Sequence, residues 1–170
     1  MPDQFGPDFL RYWALVSFGL KNAGRLLFGP GFDSQRTEEF TKGMSRYLVR
    51  RAERLPGSLR RLRRLAREHE AAYSRFDVLV SPVLGHEPPP IGHLGPEVEF
   101  HTHLVRLLRY SSFTPLQNIS GSPAISLPLG RSATGLPVGV QFAAPFGHEG
   151  RLLSLAYELE AAAPWPTRVA

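Results

Sequence analysis

Residues Thr114–Phe146 read TPLQNISGSPAISLPLGRSATGLPVGVQFAAPF, and this stretch decides the fold. Apolar residues alternate with small or polar ones after Pro123 and again after Pro137, which is typical of two strands with one apolar face each. Residues that favour turns, Gly130 to Gly135, separate the two runs. We therefore predict a β-hairpin whose second face is small enough for another element to approach closely. Its apolar face is predicted to comprise Ile125, Leu127, Leu129, Val138, Val140 and Phe142.

Three flanking segments extend this core. The continuous apolar run Val78–Val80 predicts a strand buried on both faces, in the middle of a sheet. Residues 97–112 predict a helix. The spacing of Leu152, Leu155, Ala156, Leu159 and Ala163 predicts an amphipathic helix that has Glu149 near its start, ends at Pro164 and covers the hairpin.

The first 75 residues predict mainly helices. The apolar positions of the first helix recur at helical spacing, and they are Phe9, Trp13, Val16 and Leu20. Thr37 is predicted to cap a second helix, Pro56-Gly57 to end it, and Ser58 to cap a third. This order predicts an α/β fold in which part of a mixed sheet is flanked by helices.

Many Gly, Pro, Asn and Gln positions of the hairpin stretch carry a family resemblance. They are Thr114-Pro115, Asn118, Gly121, Pro123-Ala124-Ile125-Ser126, Pro128, Gly130 and Gly135-Leu136-Pro137-Val138-Gly139-Val140-Gln141. In this order they resemble the C-terminal region of the amidase-signature hydrolases. The flanks Phe76–Pro82 and Leu152–Trp165 look like neighbouring pieces of the same region. Residues 1–170 are thus expected to form a single incomplete amidase-like domain, mainly helical over 1–75 and strand-helix-hairpin-helix over 76–165.

The resemblance implies serine-dependent hydrolysis of a carbon–nitrogen amide bond through an acyl-enzyme, without a metal or organic cofactor. In that family the catalytic lysine, the bridging serine on a cis peptide and the nucleophilic serine precede this region. The Gly/Ser-rich nucleophile loop has no counterpart here, and Lys21 and Lys42 do not stand in the family's lysine context. No catalytic residue is therefore predicted in this chain, which is expected to supply scaffold and part of the substrate channel.

Thr114, Gln117 and Asn118 are the predicted pocket-lining residues, on a turn before the first hairpin strand. For Asn118 we favour the alternative that its side chain satisfies nearby backbone groups. The expected partners are an N-terminal amidase chain with the Ser-Ser-Lys triad and, in the complete enzyme, a small-molecule amide substrate.

Arginine dominates the net charge of +5, since the chain has 18 Arg and two Lys. Nine arginines lie between Arg46 and Arg67, where Glu53 is the only acid. One hypothesis is therefore a stand-alone interaction protein that binds nucleic acid or an anionic surface through Arg60, Arg61, Arg63 and Arg64. We favour a solvated helical face, because no aromatic residue interleaves the charges between Leu48 and Ala72.

Three further features are interpreted as structural. His101 and His103 would point about 200° apart on a helix, and no third ligand stands nearby, so no metal site is predicted. His69 is expected to be a hydrogen-bonded core histidine, and Ser120-Gly121-Ser122 a turn. A third hypothesis, an autonomous hydrolase, would require Ser122 or His69 to act in catalysis.

The compartment predicted from the sequence is the cytoplasm. The chain has no cysteine, and no apolar run approaches the length that spans a membrane. Residues 13–20 are apolar, but Asp3 and Asp8 precede them instead of a basic segment, so a signal peptide is not favoured.

Overall fold

The computed structural model describes residues 3–165. The helices are α1 (Phe5–Phe28), α2 (Glu39–Val49), α3 (Leu55–Ala72), α4 (Phe100–Tyr110), α5 (Pro115–Ser120) and α6 (Glu149–Ala162). The strands are β1 (Leu79–Pro82), β2 (Ala124–Arg131) and β3 (Pro137–Ala143), and short 3-10 helices span Ser34–Arg36 and Ala52–Arg54.

The chain divides into two compact units. The first comprises residues up to 64 together with 89–107, and the second comprises residues 65–88 together with those from 108 onward. That these units form one domain stays a prediction.

The hairpin predicted from the alternating pattern is confirmed. Strands β2 and β3 pair antiparallel, with Ile125 opposite Phe142 and Leu127 opposite Val140, and the register shifts between Leu127 and Gly130. Cross-strand partners share a face of the sheet, so these four side chains lie together on the apolar side.

The position predicted for the first strand is wrong. Strand β1 pairs only with β3, so the described sheet has the order β1-β3-β2 and β1 lies at its edge. The side chain of Val80 is 57% exposed, and burial alternates along the strand. A continuous apolar run thus belongs here to an edge strand with one covered face, which periodicity alone does not distinguish from a central strand.

Helix α6 covers the apolar face of the hairpin, as predicted. Leu127, Phe142, Ala144 and Leu152 form the buried cluster of this unit. Half-buried residues packed against it are Val78, Ile125, Leu129, Val140, Leu155, Ala156, Leu159 and Trp165. Burial of this apolar surface is the main term that stabilises the unit.

The buried face of α1 differs from the predicted apolar stripe. Val16 is 51% exposed, whereas Asp8 is 1% and Arg11 is 7% exposed. Both side chains can be buried because polar groups of α3 bind them. Asp8 forms an ion pair with Arg61, and Arg11 donates a hydrogen bond to Ser58. The predicted stripe still packs on α2, because the ring centres of Trp13 and Phe40 are 5.4 Å apart.

The cap predicted at Thr37 is wrong. Its hydroxyl donates to the carbonyl of Ser34 at 2.7 Å and so closes the preceding 3-10 turn. Glu38 precedes α2 without a capping hydrogen bond from its side chain.

The boundary predicted at Pro56-Gly57 is also wrong. Helix α2 already ends at Val49, and α3 begins at Leu55, so Pro56 lies in the first turn of α3. A missing N–H is tolerated there because first-turn N–H groups have no partner within the helix. Ser58 is buried inside α3, where its hydroxyl donates to the carbonyl of Arg54 at 3.1 Å.

Candidate functional site

The three predicted pocket residues lie on or next to the short helix α5, not on a turn as predicted. Thr114 precedes α5, and Pro115 occupies its first turn. Gly121 ends the helix with φ 76°, a left-handed conformation that favours glycine, and its N–H donates to the carbonyl of Gln117 at 2.9 Å. Thr114, Gln117 and Asn118 are spaced i, i+3 and i+4, so their side chains project from one side of α5.

Gln117 is the most unusual of the three. The residue is 9% exposed, and within residues 3–165 its side-chain oxygen Oε1 has no hydrogen-bond partner. A buried amide oxygen without a donor is destabilising by about 1–3 kcal/mol. The side chain is therefore ready to accept a hydrogen bond from a group outside the described residues.

Asn118 does not play the local role that we favoured for it. Its side chain is exposed and makes no hydrogen bond to the backbone within the described residues. Thr114 is half-buried and likewise provides no side-chain cap for α5. All three polar groups on this side of α5 are thus available to another molecule or segment.

Two hydrogen-bonded pairs lie close together between α3 and the segment that joins α5 to β2. The Ser120 hydroxyl donates to the Ser122 hydroxyl at 3.0 Å, and Ser122 lies near the phenol of Tyr73. The Tyr73 hydroxyl in turn lies 3.3 Å from Nε2 of His69. The hydrogen bond predicted for His69 is confirmed. The role of Tyr73 was missed, although its i+4 spacing from His69 was the available signal.

The protonation states of these groups do not produce a nucleophile. Burial raises the pKa of Tyr73, against the opposing effect of the nearby Ser122. Burial lowers the pKa of His69, and the nearby carboxylate of Glu70 opposes this. The phenol is therefore protonated at neutral pH and does not supply the adjacent base that a nucleophilic serine needs.

The second face of the sheet carries a row of polar side chains. Ser81, Gln141 and Ser126 lie opposite one another on the three strands. Gln141 is 5% exposed, and its Nε2 donates to the Ser81 hydroxyl at 3.4 Å. Ser126 and Ala124 are exposed on the same face. The small and polar face predicted for the hairpin is thus present and is open at β2.

The predicted anion-binding arginines have different environments on α3. The Arg61 guanidinium donates twice to the Asp8 carboxylate, both times at 2.7 Å, and so takes part in an internal ion pair. Arg60, Arg63 and Arg64 are exposed. Binding of nucleic acid or an anionic surface through these residues stays a prediction. Arg61 is the least available of the four for such binding, because its guanidinium is already bonded to Asp8.

The two histidines considered as metal ligands point apart on α4. His103 is buried against Phe40, with ring centres 4.8 Å apart, whereas His101 is exposed. In the described part of the chain, no three His, Cys, Asp or Glu side chains converge as a metal site would require. No helix among residues 3–165 has the length and apolarity needed to cross a membrane.

Comparison of the sequence with known proteins finds amidases. The family model described as Amidase matches residues 28–153. A Mycobacterium leprae protein named "Putative amidase AmiC" is 46% identical over 165 residues, which are 97% of this chain and 35% of that protein. The 6-aminohexanoate-cyclic-dimer hydrolase of Pseudomonas sp. is 38% identical over 144 residues, covering 78% of this chain and 29% of the relative. The chain thus spans about a third of the length of these relatives.

Comparison of the fold agrees with the sequence. A solved structure of 6-aminohexanoate cyclic dimer hydrolase in complex with its substrate matches with a TM-score of 0.76 and 27% identity, over 99% of this chain and 38% of the other. A crystal structure of an amidase matches at 23% identity with a TM-score of 0.65, over 94% of this chain and 36% of the other. The second match shows the fold alone.

Proposed function

The chain belongs to the amidase family, and from this premise we propose that it takes part in the hydrolysis of carbon–nitrogen amide bonds as scaffold and as one wall of the substrate channel. The chain matches only about a third of each relative, which supports a fold in which catalytic residues and scaffold lie in different segments. In this proposal the nucleophilic serine, the bridging serine and the lysine come from an N-terminal amidase segment or chain. No metal or organic cofactor takes part.

The polar side of α5 is the proposed contact with the substrate. An amide has an N–H donor and a carbonyl acceptor. The buried, unpaired Oε1 of Gln117 is suited to accept from that N–H, and the Asn118 amide group next to it offers both a donor and an acceptor. The unpaired oxygen is the observation that carries this assignment, because buried polar atoms usually have a hydrogen-bond partner and no described residue supplies one.

A small-molecule amide is the proposed substrate class. Its support is the similarity to the 6-aminohexanoate-cyclic-dimer hydrolases, whose name specifies a small cyclic amide. In the proposed reaction the nucleophilic serine attacks the amide carbonyl and expels the amine, and water then hydrolyses the acyl-enzyme. The proposed compartment is the cytoplasm.

We expect the Gln117→Leu variant to lower kcat/KM for a small aryl amide by about tenfold, since a lost hydrogen bond to a buried acceptor has an effect of that order. The assay uses this chain combined with the part of the Mycobacterium leprae relative that it does not match, about two thirds of that protein. Gln35→Leu, on the exposed 3-10 helix Ser34–Arg36, is the matched control and should leave kcat/KM unchanged. Equal kcat/KM values for the two variants would rule out the assignment of Gln117.

A further inference from the structure

A surface cavity of about 110 Å³ lies in the first unit, whereas α5 belongs to the second. Its lining consists of Gly43, Arg46, Tyr47, Arg50, Arg51 and Phe100, which we call the arginine pocket. Three of the six lining residues carry a guanidinium group, and none carries a carboxylate. The amidase chemistry proposed above makes no use of this pocket.

The charges in the arginine pocket are poorly compensated. Arg46 lies 3.9 Å from the carboxylate of Glu39, at the limit of an ion pair. No carboxylate within residues 3–165 forms an ion pair with Arg50 or Arg51. Arg46 lies in the last turn of α2 and Arg50 directly follows the helix in helical conformation, four positions later, so the two charges are neighbours and repel each other. An anion bound between them would relieve this repulsion.

Aromatic rings form the rest of the arginine pocket. The Arg51 guanidinium lies over the Tyr47 ring, 4.3 Å from its centre, which fixes the position of the cation. The Phe100 ring packs directly on Gly43, where the Cβ of any other residue would collide with it. The pocket therefore combines fixed positive charge with a flat apolar surface.

Cations are favourable at the C-terminal end of α2, because the helix dipole is negative there. The dipole explains why arginines are tolerated at this position. The dipole does not account for the cation–π contact of Arg51 with the Tyr47 ring, which holds one guanidinium beside the cavity while Arg46 and Arg50 are exposed.

We propose that the arginine pocket binds a small phosphate monoester with a flat apolar group, with the phosphate between Arg46, Arg50 and Arg51 and the flat group against Tyr47 and Phe100. A phosphate monoester carries nearly two negative charges at neutral pH, which matches this group of cations better than a carboxylate does. Guanidinium groups bind phosphate oxygens through paired hydrogen bonds. The cavity of about 110 Å³ is open to solvent, so the remainder of the ring can extend beyond it.

The test is calorimetric titration of the purified chain with phenyl phosphate, benzoate and inorganic phosphate at constant ionic strength. We expect phenyl phosphate to bind most tightly. Arg50→Gln and Arg51→Gln should each raise its Kd about tenfold, as expected for loss of a charge-assisted hydrogen bond. Arg54→Gln is the matched control, because it removes one positive charge nearby without lining the pocket, and it should change the Kd less than about twofold.

Four results would overturn the proposal. Benzoate could bind as tightly as phenyl phosphate, or Arg54→Gln could weaken binding as much as Arg50→Gln does, which would mean that general positive charge is responsible. Alternatively, the chain could bind vesicles with phosphatidic acid and not phenyl phosphate, in which case the ligand is a lipid headgroup at a surface. Retained binding in both pocket variants would equally exclude the site.

Discussion

Replacing Asp8 with alanine is expected to lower the free energy of unfolding by about 3 kcal/mol, because it leaves buried positive charge without its partner. Asp8 is 1% exposed and binds Arg61 through both carboxylate oxygens. It also accepts from Arg11 at 3.1 Å, and Arg11 is itself 7% exposed and donates to Ser58. Without the carboxylate, the Arg11 guanidinium keeps one neutral hydroxyl as a partner. Chemical denaturation followed by circular dichroism measures the change.

The control for Asp8 is Asp77→Asn, which removes the exposed ion pair with Arg151. The side chain of Asp77 is 85% exposed, and exposed pairs of this kind contribute about 0–1 kcal/mol. Equal losses from Asp8→Ala and Asp77→Asn would contradict the account of the buried pair.

The ion pair of Asp8 also sets the direction of a pH effect on stability. The hydrogen bond from Arg61 holds the pKa of Asp8 below its ordinary value of 3.8, although burial opposes this shift. Because the folded-state pKa is the lower one, the stabilisation is complete above pH 3.8 and is lost as the pH falls through the folded-state pKa. The Asp8→Ala variant should therefore lose less stability than the parent chain over that acidic range.

Replacing Leu152 with alanine is expected to lower the free energy of unfolding by about 3 kcal/mol, through lost burial and the cavity that remains. Leu152 is 3% exposed and packs in one cluster with Leu127 and Phe142 of the hairpin. Among the α6 residues that pack on this cluster, Leu152 is the buried one. The loss is measured by denaturant unfolding, with the exposure of Trp165, which packs on the same cluster, as a fluorescence signal.

Leu153→Ala provides a matched control on the next residue of the same helix. Leu153 is 53% exposed, so the same truncation removes little buried surface and should change the free energy of unfolding by less than about 0.5 kcal/mol. If the two alanine variants were equally stable, the orientation of α6 on the hairpin would be wrong.

The hairpin and α6 were predictable because their signals are local. Alternation after Pro123 and Pro137 specifies one apolar face on each strand, and the helical spacing from Leu152 specifies a face that fits it. Position within the sheet was not predictable for β1. Whether a run such as Val78–Val80 lies at the centre or at the edge depends on which strands pair with it, and pairing is a property of the fold.

The buried face of α1 was missed for a physical reason. Sequence patterns place charged residues on the surface, yet Asp8 and Arg11 are among the most buried residues of this helix. Their burial is possible only because Arg61 and Ser58, about fifty positions further along the chain, complete the hydrogen bonds. A long-range polar pair of this kind leaves no periodic signal in the sequence.

The sequence indicated the three residues of the candidate pocket but not the local structure on which they lie. Thr114, Gln117 and Asn118 were named from their place on an expected turn before the first hairpin strand. The segment instead forms the six-residue helix Pro115–Ser120. The burial of Gln117 and its unpaired oxygen depend on packing, so only the structure shows them.

We propose that the residues that cleave the amide bond lie outside this chain, and one reconstitution tests this directly. Hydrolysis of a small aryl amide is followed for the purified 170-residue chain, for the two thirds of the Mycobacterium leprae relative that this chain does not match, and for their mixture. We expect turnover by the mixture and none by this chain alone. Turnover by this chain alone, in a preparation free of host hydrolases, would contradict the proposal.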